Sequence, residues 1–209
     1  MSIELELEKM GENSVRASKD IRSLNERDKN NILKSIIVSL KKNKKNILDA
    51  NSLDISNSEN SLSKAMVDRL MLDDERFDGI LSSIENVISL EDPVGNKLYS
   101  NKRPNGMLVE RVSVPLGVIG IIYESRPNVT VDATVLCLKA GNSVILRGGS
   151  ECFNTNSEMV KSIQGALKEN SVSEHIVQYV STTDRAAVDY MLAKMGKYID
   201  VVVPRGGKG

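Results

Sequence analysis

From Val118 onward, short apolar runs alternate with helix-length amphipathic segments, and few folds accommodate that pattern. Val118–Tyr123 reads "VIGIIY", residues 128–139 have helical periodicity, and Ser143–Arg147 reads "SVILR". A helix over 154–168, a strand over 176–180, a helix over 184–194 and a strand over 199–203 follow. Strands without polar alternation are buried on both faces, and crossovers of this length join parallel neighbours. The pattern predicts an α/β chain with a dinucleotide-domain layout, whose ligands sit outside the carboxyl ends of the strands. Those ends are "YESRPN", "RGGSE", "STTDR" and "PRGGKG", all polar or glycine-rich and all carrying charge.

The first 95 residues follow a different rule. Asn25 is placed to cap a helix in which Ile32, Leu33, Ile36, Ile37 and Leu40 form one face. Asp73 is placed to cap a second, with Phe77, Ile80, Leu81, Ile84, Val87 and Ile88 as its stripe and Pro93 and Gly95 beyond its end. The basic run Lys41–Lys45 reads as the solvated end of an amphipathic helix rather than a polyanion patch. The polar stretch 51–63 reads as a surface connection. Between the halves, "KRPNG" separates two strand-like runs, and Asn105-Gly106 signals a hairpin. The expected organisation is a helical segment over 1–95, a β-hairpin element over 96–116 and an α/β cofactor domain over 117–209.

Twenty-eight basic and 28 acidic residues cancel, so no global field draws the chain to nucleic acid or an anionic membrane. No window approaches the roughly 20 apolar residues of a membrane span, and the acidic start does not resemble a signal peptide. Two cysteines in 209 residues suit a reducing compartment, which makes the cytoplasm the expected location.

Among the loops, Gly148 and Gly149 permit close backbone approach to a ligand, Arg147 offers a fork of donors, and Glu151 can accept from a ribose hydroxyl. Thr182 and Thr183 precede a helix and suit either a pyrophosphate or a plain N-cap, the cap being the simpler reading. Arg205, Gly206 and Gly207 are basic and glycine-rich but lack phosphate-loop spacing. His175, the only histidine, reads as a surface or capping residue, Cys137 as a core thiol, and Cys152 as an exposed thiol without a basic partner. No cluster has metal-ligand spacing.

The stretch "VPLGVIGIIYESRPNVTVDATVLCLKAGNSVILRGGSE", continued by "TTDRAAVDYMLAKMGKYIDVVVPRGGKG", resembles the gamma-glutamyl phosphate reductase family of proline biosynthesis and, more distantly, the aldehyde dehydrogenase superfamily. The resemblance implies an aldehyde-dehydrogenase-like fold: N-terminal helices, a Rossmann-like parallel sheet with flanking helices, and a small hairpin used for oligomerisation. It implies NADPH as cofactor, L-glutamyl 5-phosphate as substrate, the upstream glutamate kinase as a partner, and a homo-oligomer at full length.

By position within the resemblance, Asn128 matches an amide that stabilises the reacting oxyanion. Arg147 stands at a cofactor-contacting lysine and Glu151 near its partner acid. Pro204 stands near the place of a general-base glutamate. A reductase acting on an acyl phosphate dispenses with that base, because phosphate departs when the thiolate attacks. Arg126 pairs with a substrate anion or, alternatively, with Glu124. The family's nucleophilic cysteine follows the "PRGGKG" segment, so this chain reads as the N-terminal portion of such an enzyme. The other reading is a non-catalytic nucleotide-binding or assembly module derived from it.

Overall fold

The computed structural model describes residues 2–58 and 62–206. Helices α1 (Ile3–Ser23), α2 (Glu26–Lys42), α3 (Lys44–Ser58), α4 (Lys64–Leu70) and α5 (Asp74–Ser89) come first. Strands β1 (Lys97–Lys102) and β2 (Leu108–Val112) form an antiparallel hairpin. The α/β part follows as β3 (Val118–Tyr123), α6 (Pro127–Lys139), β4 (Ser143–Arg147), α7 (Phe153–Glu169), β5 (Val177–Tyr179), α8 (Ala186–Lys194) and β6 (Val201–Arg205). Asn25 and Asp73 cap their helices as the sequence predicts, accepting from the amides of Asp28 and Arg76. The helix led by Asp73 ends at Ser89, short of Pro93.

The larger sheet has the order β5-β4-β3-β6 and every pair is parallel. The chain therefore steps outward from β3 through β4 to β5, then returns through α8 to place β6 on the other side of β3. That reversal opens a crevice at the carboxyl ends of the central strands. Alternate side chains of each strand point to opposite faces. Ile119, Ile121, Tyr123, Val144, Leu146 and Val177 lie in the core beneath α6 and α7, on which α2 and α5 pack in turn. Val118, Ile145 and Val180 pack against α1 and α8, with Leu7, Met10, Ala187 and Met191.

Strand β6 is fixed to β3 by a reciprocal contact at its start. The Asp200 amide donates to the Val118 carbonyl (2.9 Å) and the Val118 amide donates to Asp200 Oδ2 (2.8 Å). Gly117, with φ +123°, makes room for this carboxylate, since a Cβ there would lie 2.2 Å from Asp200 Oδ2.

The stretch 51–63 departs from the sequence expectation of a surface connection. Residues 51–58 continue helix α3, and residues 59–61 lie outside the described residues. Asn51 and Asp54 are buried at 1% and 2% exposure. Asp54 Oδ2 accepts from the Thr155 amide (2.8 Å) and Thr155 Oγ1 (2.6 Å), and its Oδ1 accepts from Asn154 Nδ2 (2.8 Å). It supplies the acceptor that the start of α7 lacks from its own sequence, where no local side-chain cap forms. Asn51 donates to the Leu70 carbonyl and accepts from the Leu72 amide, which closes the α4–α5 connection onto α3. Polar residues here are internal fasteners whose partners come from distant parts of the chain.

Asp54→Ala should leave the donors of Asn154 and Thr155 buried without partners, at a cost of about 2–4 kcal/mol. For a chain of this size that lowers the melting temperature by roughly 6–12 °C. Differential scanning calorimetry checks this, and Asp54→Asn, which keeps an acceptor, should cost less.

Candidate functional site

The carboxyl ends of β3, β4 and β6 are organised by a buried chain of hydrogen bonds. The Tyr123 hydroxyl donates to Thr130 Oγ1 (2.6 Å), which donates to Asn156 Oδ1 (2.7 Å). Asn156 Nδ2 then donates to Cys152 Sγ (3.0 Å). Burial pushes the Tyr123 phenol well above its ordinary range, so it stays protonated as a donor.

This packing changes the meaning of the glycine pair. A Cβ on Gly148 would lie 2.3 Å from Asn156 Nδ2 and 3.1 Å from the Tyr123 ring, and one on Gly149 would lie 2.5 Å from Glu151 Oε2. Both glycines make room for the protein's own side chains. Arg147 is likewise turned inward: its guanidinium donates to the carbonyls of Gly148 (2.8 Å) and Thr183 (3.0 Å), tying the β4 loop to the β5–α8 loop. Its Nε is the one buried side-chain polar atom without a partner among the described residues. Glu151 accepts from Ser125 Oγ (2.8 Å) and Ser150 Oγ (3.3 Å). Thr182 Oγ1 accepts from the Asp184 amide and Asp184 Oδ1 from the Ala186 amide, so this loop contains ordinary turn and capping contacts.

Two adjoining cavities occupy the edge. One of ≈ 500 Å³ is walled by Arg147, Gly149, Glu151, Thr183, Arg185 and Arg205. The second, of ≈ 360 Å³, is lined by Glu124, Arg126 and Arg205 together with Met66 and Arg69 from α4. Gly206 borders both, whereas Thr182 and Gly148 border neither. Gly207 lies outside the described residues. Arg126 forms no ion pair with Glu124 or with any other described residue.

Asn128 lies in the first turn of α6, exposed, beside Arg126 on a third cavity wall. Its Nδ2 donates to Asp132 Oδ2 (2.9 Å), and Asp132 Oδ1 accepts from Ser83 Oγ of α5 (2.8 Å). One amide N–H of Asn128 is thereby fixed and the other remains available. Ser83, Asp132 and Arg69 were not singled out by sequence. Asp132 carried one usable signal, its i+4 spacing from Asn128.

The cysteines divide from expectation. Cys137 is a core thiol, as its apolar neighbours predict. Cys152 is fully buried rather than exposed, because the turn after Gly149 folds its sulfur under the loop, 3.4 Å from the Gly149 carbonyl. Burial pushes both thiols up to about 12. His175 sits in a short 3-10 turn, capped through its backbone by Ser173. Among the described residues no group of acidic, histidine or cysteine side chains can hold a metal ion, and no helix is long and apolar enough to cross a membrane.

No protein-family model matches the chain. Curated relatives do. Over 206 residues it is 47% identical to the gamma-glutamyl phosphate reductase of Shewanella woodyi, covering 98% of this chain and 48% of that protein. The Clostridium tetani gamma-glutamyl phosphate reductase is 46% identical over 200 residues, with 95% and 46% covered. The crystal structure of gamma-glutamyl phosphate reductase from Thermotoga maritima superposes with a TM-score of 0.94 at 42% identity, covering 97% of this chain and 49% of that one. A probable aldehyde dehydrogenase from Listeria monocytogenes has the same fold at 16% identity and a TM-score of 0.74. The chain therefore has the aldehyde-dehydrogenase-like fold expected of it, is similar to gamma-glutamyl phosphate reductases over nearly its whole length, and spans about half the length of the relatives it matches.

Both thiols should resist a disulfide reagent at pH 8 in the folded chain and react fully in guanidinium. Because the folded values lie near 12 and the ordinary one is 9.0, the unfolded thiols ionise first. Stability should be unaffected by these groups below pH 9 and fall between pH 9 and about 12, by roughly 1.4 kcal/mol per pH unit for each thiol. Denaturant titrations of wild type and Cys152→Ala across that window check the sign.

Proposed function

We propose that this chain forms the cofactor-binding half of an NADPH-dependent gamma-glutamyl phosphate reductase, a cytoplasmic enzyme of proline biosynthesis. It reduces L-glutamyl 5-phosphate to L-glutamate 5-semialdehyde with release of phosphate. The observation that carries the reading is the 47% identity, over 98% of the chain, to reductases of that name. The sheet reversal and the polar crevice at the strand ends agree with it.

The ≈ 500 Å³ cavity fits a phosphorylated dinucleotide in its chemistry: Arg185 and Arg205 are cations on its wall, Glu151 offers acceptors, and the Arg147 Nε is an unused buried donor. Arg147, Gly149, Glu151, Thr183, Arg205 and Gly206 are the residues proposed to hold it. When bound, the dinucleotide supplies the hydride that reduces the acyl group.

The protein's own part is positioning. Asp132 and Ser83 hold the Asn128 amide so that its free N–H meets the oxygen on which charge develops when a thiolate attacks the acyl phosphate. Phosphate then departs and no base is needed to activate water. The thiolate is proposed to come from the part of the relatives' length that this chain does not match, since both of its own thiols are buried and protonated. The hairpin β1–β2, with Leu98, Tyr99, Leu108 and Val112 exposed, is the proposed oligomerisation element.

Purified chain should enhance NADPH fluorescence on binding but oxidise no NADPH with L-glutamyl 5-phosphate. Fusion to the unmatched half of the Shewanella woodyi reductase should give turnover. In that fusion Asn128→Ala should lower kcat by roughly 100-fold while changing NADPH affinity less than twofold. Absence of NADPH binding would sink the reading, and turnover by the chain alone would sink the external nucleophile.

A further inference from the structure

We infer that Arg69 and Arg126, with Arg205 shared between this cavity and that of the cofactor, form a receptor for a phosphoryl dianion, and that the Arg69 and Arg126 contacts are separate from those that hold the cofactor. The three arginines come from α4, the β3–α6 loop and the end of β6, and they share the ≈ 360 Å³ cavity. None of their guanidinium groups makes a hydrogen bond or ion pair with another described residue. Other exposed arginines are of both kinds, and Arg22, Arg27, Arg103 and Arg111 also lack a side-chain partner among the described residues; what sets Arg69, Arg126 and Arg205 apart is that they line one cavity. Arg76 is locked onto Asp68 and the carbonyl of Met71, and Arg16 pairs with Glu12.

Among the described residues that line the cavity Glu124 is the single carboxylate, so these residues carry an excess of two positive charges. Three guanidinium forks carried by separate elements on one cavity wall leave it net positive, and such forks match tetrahedral phosphate oxygens in geometry. Arg69 and Arg126 line this cavity but not the larger one assigned to the dinucleotide, and Arg205 borders both. The smaller cavity therefore lies where a terminal phosphoryl group sits if the acyl carbon is beside Asn128, the second residue of the helix that follows Arg126. The identity of the ligand as an acyl phosphate rests on the proposed reductase reading; the anion site itself does not.

The test uses inorganic phosphate and 2′-AMP as probes on the whole chain, by isothermal titration at low ionic strength. The second probe represents the phosphate of the cofactor's ribose. Phosphate should bind saturably to wild type and to Arg27→Gln, an exposed control away from the cavity. Arg69→Gln and Arg126→Gln should each weaken phosphate at least tenfold while shifting 2′-AMP less than twofold. Arg69→Lys, which keeps the charge without the fork, should fall between wild type and Arg69→Gln and serves as the check if the glutamine variant folds poorly by circular dichroism. Phosphate affinity equal in Arg69→Gln, Arg126→Gln and Arg27→Gln overturns the site. Parallel loss of 2′-AMP and phosphate overturns its separation from the cofactor. Failure of either kind leaves NADPH binding to decide the reductase reading, and failure of NADPH binding leaves phosphate binding to decide this site.

Discussion

The functional edge depends on one buried run of hydrogen bonds, from Tyr123 through Thr130 and Asn156 to Cys152. It crosses from a strand end to the helix after it and on to the first turn of the next helix. Each member is almost wholly removed from water, so each unmade bond would leave a desolvated donor or acceptor. The run therefore admits one arrangement of the β3 and β4 loops, and Gly148 is the residue small enough to pass between its members. The loops that present Arg126 and Glu151 to the cavities take their positions from this buried run of hydrogen bonds.

Charge is distributed by the same logic. Away from the edge, buried ions are matched: Lys29 lies against Asp92, and Lys139 donates to Glu26, Asn30 and the Ile88 carbonyl. At the edge three exposed arginines share one cavity wall with a single described carboxylate, Glu124. Structures tolerate such local violations where a ligand completes the arrangement. A stability-optimised surface would intersperse the two signs.

Much of this was legible in the sequence. Val118–Tyr123 and Ser143–Arg147 are strands at the residues their apolar runs mark, and the helices start and stop within about two residues of their periodic segments. Period and cap are local properties, and local properties can be read locally. The failures have one physical source. Asn51 and Asp54 look like loop residues because polarity alone cannot show a partner about a hundred positions away. Gly148 and Gly149 look like space left for a ligand because sequence does not say whose side chain fills it. Cys152 looks exposed for the same reason. Arg69 stands in an unremarkable "VDRLML", and nothing in that string connects it with Arg126 and Arg205.

The cap that Asp54 gives to α7 also has a consequence for the order in which the molecule can be built. The carboxylate and the amide it serves are separated by 101 residues, and Ser39 donates to the Ser162 carbonyl across 123. On a ribosome adding about 5–20 residues per second, helices α2 and α3 wait roughly 5–20 s or more before α7 emerges to cover them. During that interval α5 can pack on α2, but the faces of α2 and α3 that α7 covers, and the Asp54 carboxylate, stay open to water. The nascent first half therefore completes its packing and its buried hydrogen bonds only when Phe153–Glu169 arrives.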